Sequence, residues 1–123
     1  MLAPVMLRSR SGVRHFLQWM STTPDATSDP TVDLLAVTML ASRLRRVTPP
    51  SVLTDDELRR FTMPVTVLIG DHDVIYRGGP EAALARAKEF IPHVHTHLLP
   101  GANHLLTLDC PKPLIAQISA GLA

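Results

Sequence analysis

One stretch constrains the fold more than any other. In "MPVTVLIG", residues 63–70, Val65, Val67, Leu68 and Ile69 make a β-branched and apolar run closed by Gly70. Such a run predicts a strand buried on both faces, as in a parallel sheet. A parallel neighbour requires a crossover connection, and the next residues supply one. The polar loop "DHDVIYRGG" leads into "PEAALARAKEFI", a helix with Pro80 at its first position, Glu81 in its first turn and Pro92 as its stop. "HVHTHLL" then alternates polar with apolar, the mark of a strand with one wetter face. "PKPLIAQISAGL" closes the chain as a helix expected to turn Leu114, Ile115, Ile118 and Leu122 inward. Residues 61–123 therefore read as βαβα.

Residues 1–60 read as helical and cap-like. "MLRSRSGVRHFLQWMS" places Val13, Phe16, Leu17 and Met20 at helical spacing. After the loop "TTPDATSDP", Asp29 and Pro30 have the form of an N-cap followed by proline at the first helical position. The helix begun there is expected to carry Leu34, Leu35, Thr38, Met39 and Leu44 on one face. Arg43, Arg45 and Arg46 suit its C-terminal dipole, and Pro49–Pro50 end it. "TDDE" at 54–57 has the capping-box form and opens a short helix. The expected fold class is α/β: a partial parallel sheet preceded by a helical segment.

Composition removes several function classes. Twelve Lys+Arg against 11 Asp+Glu give a formal charge of +1, with no pull towards nucleic acid or anionic membrane. Aromatic residues at 4% offer few platforms for stacking bases. Arg8, Arg10 and Arg14 are expected to form a solvated helix face. The lone cysteine, Cys110, allows no intrachain disulfide and no cysteine-based zinc site. The first residues lack the order of a secretory signal, and no apolar run reaches the roughly 18–20 residues of a membrane span. These features predict a cytoplasmic protein without cofactor or metal.

The βαβ topology carries a chemical consequence. Loops that follow parallel strands lie along one edge of the sheet, where open α/β sheets bind ligands. Those loops are "DHDVIY" and "PGANH", so Asp71 or Asp73 should approach His104. An Asp that accepts from one imidazole nitrogen fixes the tautomer and leaves the other nitrogen as a base. From the residues alone two readings stand: a catalytic pair, or a His and an Asp that cap neighbouring loops. His93, His95 and His97 invite a metal reading. Alternate strand positions are about 6.6 Å apart, however, and the outer pair about 13 Å, too far to share an ion bound at about 2.0–2.1 Å. A polar strand face is the better reading. A cluster of His72, Asp71, Asp73 and His104 is the weaker metal alternative.

"MPVTVLIGDHDVIY", a helix, and "HTHLLPGANHLLTLDCPKPLIAQI" resemble the C-terminal part of an α/β-hydrolase. The resemblance covers residues 62–123, about half the chain. In that family the penultimate strand ends in Gly-x-x-Asp, whose Asp is the triad acid; Gly70 to Asp73 match, which implies Asp73. A glycine shortly precedes the triad histidine; Pro100 to His104 match, which implies His104. The family commonly inserts a helical cap before the acid-bearing strand. Residues 1–60 resemble it, and Trp19, Met20, Met39 and Leu40 are then candidate pocket walls, although by composition they are equally ordinary core.

The family's nucleophile elbow, Gly-x-Ser-x-Gly, is absent from the sequence. "RSRSG" has Arg10 where a small residue is needed, and Cys110 is followed by Pro111, which has no N–H to give an oxyanion hole. The resemblance therefore implies an ester hydrolase incomplete in this chain and inactive alone, as from a truncated or split gene. Its expected partners are a small ester-like substrate once completed, and either a second copy or the missing N-terminal half. The alternatives are a non-catalytic binding or assembly module and a cofactor-free His–Asp lyase or oxygenase.

Overall fold

The computed structural model describes residues 9–41 and 51–121. Helix α1 (Arg10–Trp19), a 3-10 turn (Ala26–Ser28) and α2 (Pro30–Ala41) come first, then the short α3 (Asp55–Arg59). Strand β1 (Val65–Gly70), α4 (Pro80–Phe90), β2 (Val94–Leu99), the single turn α5 (Leu106–Asp109) and α6 (Pro111–Gly121) complete the order. The strands pair in parallel, with Val65 opposite Val94 and Gly70 opposite Leu99. This is the expected α/β arrangement, a helical segment ahead of a short parallel sheet.

Local rules set the boundaries. The Ser9 side chain accepts from the Gly12 amide at 3.0 Å and caps α1. Asp29 accepts from the Thr31 amide at 2.7 Å and caps α2. Thr54 and Glu57 form the full capping box of α3, and Pro80 opens α4. Arg43, Leu44, Arg45, Arg46, Pro49 and Pro50, with Arg8 and Leu122, lie outside the described residues.

Three cores form. Val13, Leu17, Met20, Ala26, Val32 and Ala36 are buried together, with Phe16, Met39, Leu40, Leu105 and Leu108 packed around them. Leu58 of α3 joins Ala87 and Ile91 against Val65 and Val67, on one face of the sheet. Leu99, Ala102 and Cys110 are packed by Leu68, Leu106 and Leu114. The first core also meets the loop after β2, because Leu105 and Leu108 reach into it from the segment just after His104.

Three expectations change and a fourth is extended. The buried stripe of α2 is Val32 and Ala36, with Met39 and Leu40 half-buried, while Leu34 is 67% exposed and Leu35 and Thr38 also face out. These four lie at i, i+4, i+7 and i+8, one face of the helix turned to the first core, while Leu34, Leu35 and Thr38 fall on the other side. On α6, Leu114 packs inward, but Ile115 and Ile118 are exposed. The run in β1 is only partly enclosed: Thr66 is exposed and Val65, Val67 and Leu68 are half-buried, because among the described residues β1 has one neighbouring strand. Finally, Arg10 is exposed as expected and Arg14 partly so, but the two also face an acid: Arg10 pairs with Asp33 at 3.0 Å, and the Arg14 Nε lies 3.6 Å from it, linking α1 to α2.

Candidate active site

Both loops leave the same end of the sheet. Gly70 ends β1 where the loop after β2 crosses it most closely: a β-carbon at Gly70 would stand 2.2 Å from the Ala102 carbonyl oxygen and 2.5 Å from that of Asn103. Only glycine permits this approach. The contact is stitched by backbone bonds. Asp71 N–H donates to Leu99 O at 3.0 Å, and His72 N–H to Ala102 O at 2.9 Å. Asp71 Oδ1 accepts from the Ala102 amide at 3.3 Å. The turn itself uses Gly101, at φ 72°, in the left-handed region that suits glycine.

The approach brings Asp73 to His104. Asp73 Oδ2 lies 2.9 Å from His104 Nδ1, with the Asp side chain 4% exposed and the imidazole 39%. The other carboxylate oxygen, Oδ1, accepts from the Ile75 amide at 2.9 Å. A carboxylate at this contact can only accept, so the pairing calls for Nδ1 as the donor and leaves the Nε2 lone pair free. Asp71 is engaged with the loop backbone instead, so of the two carboxylates it is Asp73 that meets His104. Tyr76 stands edge-on to the imidazole, ring centres 6.5 Å apart. Burial, and then the charge of Asp73, push its phenol above its ordinary value, so it stays neutral near pH 7.

Three polar groups that the sequence reading did not single out support the pair. Asn103, 5% exposed, accepts through Oδ1 from the amides of His104 at 2.8 Å and Val74 at 3.1 Å. Its Nδ2 donates to Trp19 O at 3.1 Å. Asp109 anchors the same loop: its Oδ2 accepts from the Asn103 amide at 2.7 Å. Its Oδ1 gathers the Thr22 and Thr23 amides at 3.0 and 3.2 Å, together with the Ser21 hydroxyl. Burial opposes the charge of Asp109, but these hydrogen bonds outweigh it and hold the carboxyl below its ordinary value. Thr22 also donates from its hydroxyl to Gly101 O at 2.6 Å.

Of the four residues singled out as pocket wall, Trp19 and Met20 meet the His104 loop through their backbones, and Leu40 is half-buried against the first core. Trp19 O accepts from Asn103, and Met20 O from the Leu105 amide at 3.1 Å. The Trp19 ring is 53% exposed against Phe16, whereas the Met20 side chain is buried and Met39 half-buried in the first core. Cys110 is buried, its thiol raised by desolvation and by Asp109, the opposite of an activated nucleophile.

His93 precedes β2, so only His95 and His97 share its face. They line a groove of about 320 Å³ with Pro64, Thr66 and Gln117, away from Asp73 and His104. His72 is 65% exposed in its side chain and 3.9 Å from Asp71. Among the described residues no three His, Cys, Asp or Glu side chains converge as a metal site, and no helix is long and apolar enough to cross a membrane.

No family model matches the chain. It is 33% identical over 111 residues to the uncharacterized carboxylesterase nap of Bacillus subtilis (strain 168), covering 85% of this chain and 36% of that protein. It is 33% identical over 63 residues to carboxylesterase YbfK of the same organism, covering 51% of this chain and 21% of that one. The chain thus spans about a third or less of the length of these curated relatives. The crystal structure of B. subtilis naproxen esterase (carboxylesterase NP) matches with a TM-score of 0.79 at 28% identity, over 97% of this chain and 43% of that one. That of carboxylesterase CesB (YbfK), also from B. subtilis, matches in fold with a TM-score of 0.80 at 23% identity, over 98% and 44%. This chain therefore carries a partial α/β-hydrolase-like fold related to bacterial carboxylesterases.

Proposed function

We propose that the chain supplies the acid and base of a Ser-His-Asp carboxylic ester hydrolase, with Asp73 as acid and His104 as base. The observation that supports this is the 2.9 Å contact of a buried carboxylate with His104 Nδ1, not Nε2. In the chemistry proposed, Nε2 takes the hydroxyl proton of a serine as its oxygen attacks the ester carbonyl. The imidazolium, stabilised by Asp73, returns that proton to the departing alkoxide, and water resolves the acyl-enzyme by the same relay. The serine and its oxyanion hole lie outside these 123 residues. Residues 1–60 act as the cap-like part and 61–123 as the core part, with Trp19, Met20 and Met39 on the substrate side. The open edge of β1 is the natural seat for a further strand, since an unpaired apolar edge is a liability.

Complementation tests the proposal. The chain alone should leave a p-nitrophenyl ester at its background rate. Co-expressed with a polypeptide that supplies a Gly-x-Ser-x-Gly elbow, it should hydrolyse the ester. Asp73→Asn should then lower the rate by roughly 10⁴-fold, and His104→Ala should abolish it. A complemented pair indifferent to His104→Ala would remove the reading, and a binding module without chemistry would take its place. Turnover by the chain alone that depends on His104 would instead point to the cofactor-free alternative.

A further inference from the structure

We infer that Asn103 is a positioning residue that sets the geometry of the acid–base pair, an inference that rests on the catalytic reading of Asp73 and His104. A buried amide side chain is costly unless its groups are bonded, and here each end has a partner. One oxygen, Oδ1, accepts from the amide of His104 at 2.8 Å and from that of Val74, the residue directly after Asp73, at 3.1 Å. The base loop and the acid loop are thereby fixed to a common point beside the Nδ1–Oδ2 contact and independently of it. The amide has one workable orientation. Flipped, its NH₂ would face two N–H donors and its oxygen would face the Trp19 carbonyl.

The remaining bonds extend the clamp. Nδ2 donates to Trp19 O, so the same side chain also registers the end of α1 against the base loop. The Asn103 backbone is held in turn by Asp109. No neighbouring side chain duplicates the bridge: Asp109 binds the base loop and residues 21–23, and Asp71 binds the Ala102 amide. Among near substitutes, aspartate retains the acceptor for both amides but sets an oxygen against Trp19 O, and alanine retains neither function. Asn103 acts through His104 and not on substrate, so its removal should move the imidazole before it moves the fold.

The test reads the His104 ring nitrogens by long-range ¹H–¹⁵N correlation in the full chain, assigned by the loss of signal in His104→Ala, with thermal unfolding followed in parallel. The native chain should show the Nδ1–H tautomer, and Asp73→Asn should change it. If either fails, the acid–base reading fails and takes this inference with it. Given that native state, Asn103→Ala should lose the Nδ1–H signature while remaining folded, and Asn103→Asp should keep it. An Asn103→Ala protein with native His104 shifts would overturn the inference while leaving the acid–base pair intact. Should Asn103→Ala not fold, Asn103→Asp decides: a retained signature supports the clamp, and a lost one overturns it.

Discussion

Gly70→Ala is the most demanding test of how the site is built. The added β-carbon would lie 2.2 Å from Ala102 O, 2.5 Å from Ala102 C and 2.5 Å from Asn103 O. All three are backbone atoms, so no rotamer change relieves the clash. Reaching an ordinary carbon–oxygen contact of about 3.3 Å requires the strand and loop to part by about 1 Å. Overpacking of this kind costs about 1–3 kcal/mol. The His72–Ala102 and Ala102–Asp71 hydrogen bonds stretch with it, at about 0.5–1.5 kcal/mol each. Alanine recovers about 0.4–1 kcal/mol through the unfolded chain, leaving a net loss of roughly 1–6 kcal/mol. Urea unfolding followed by far-ultraviolet circular dichroism measures it. Because His104 directly follows Asn103, a complemented enzyme should also lose about 100-fold in rate, the typical cost of a 1 Å misplacement. A variant within about 0.5 kcal/mol of native, the scatter of an ordinary surface substitution, would mean that the loop does not cross β1 as described.

Asp109→Asn should destabilise the chain at neutral pH. The carboxyl is depressed in the folded state, so its contribution is present above its ordinary value of 3.8 and fades as pH falls towards the lower folded value. The difference between variant and native in unfolding midpoint should therefore shrink on acidification; a difference that grows would contradict the assignment. Leu17→Ala should cost about 2–5 kcal/mol and speed hydrogen exchange at the Leu105 amide, because Leu17 and Leu105 share a core; unchanged exchange there would separate the helical segment from the base loop. Cys110 should react with a thiol reagent only after denaturation, given its burial and raised thiol, and rapid labelling of native protein would count against that packing. Light scattering at micromolar concentration should find a dimer or larger assembly if the open edge of β1 recruits a second copy, and a monodisperse monomer would argue against self-pairing.

The elements were legible where one local rule decides the outcome. Pro80, the Thr54–Glu57 box and the Asp29–Pro30 cap are one-turn events, and they appear as the sequence implies. The meeting of Asp73 with His104 was legible for a different reason, since parallel strands place their following loops at one sheet edge. Burial was less legible. Leu34 and Ile115 have the hydrophobicity of core residues, but hydrophobicity does not say which face finds a partner, and here Val32, Ala36 and Leu114 do. Asn103 and Asp109 left little local signal, because their partners lie far along the chain: Asn103 bonds Trp19 and Val74, and Asp109 bonds Ser21 to Thr23.

Those long-range bonds change what the helical segment is for. A segment that merely covered the sheet would need apolar contact alone. Here Trp19 O, Met20 O and the Ser21–Thr23 turn are bonded to Asn103, Leu105 and Asp109, the residues on either side of His104. The segment that carries His104 is thus held from two directions, by the loop after β1 through Asp73 and Val74 and by the end of α1 through its backbone carbonyls. A polar bridge of this kind is direction-specific where apolar contact is not, so it can fix the path of the loop that carries the ring. If His104 is the base proposed, its loop is fixed by bonds from both sides of the sheet edge, and the open edge of β1 is the place to test for a strand bearing the serine.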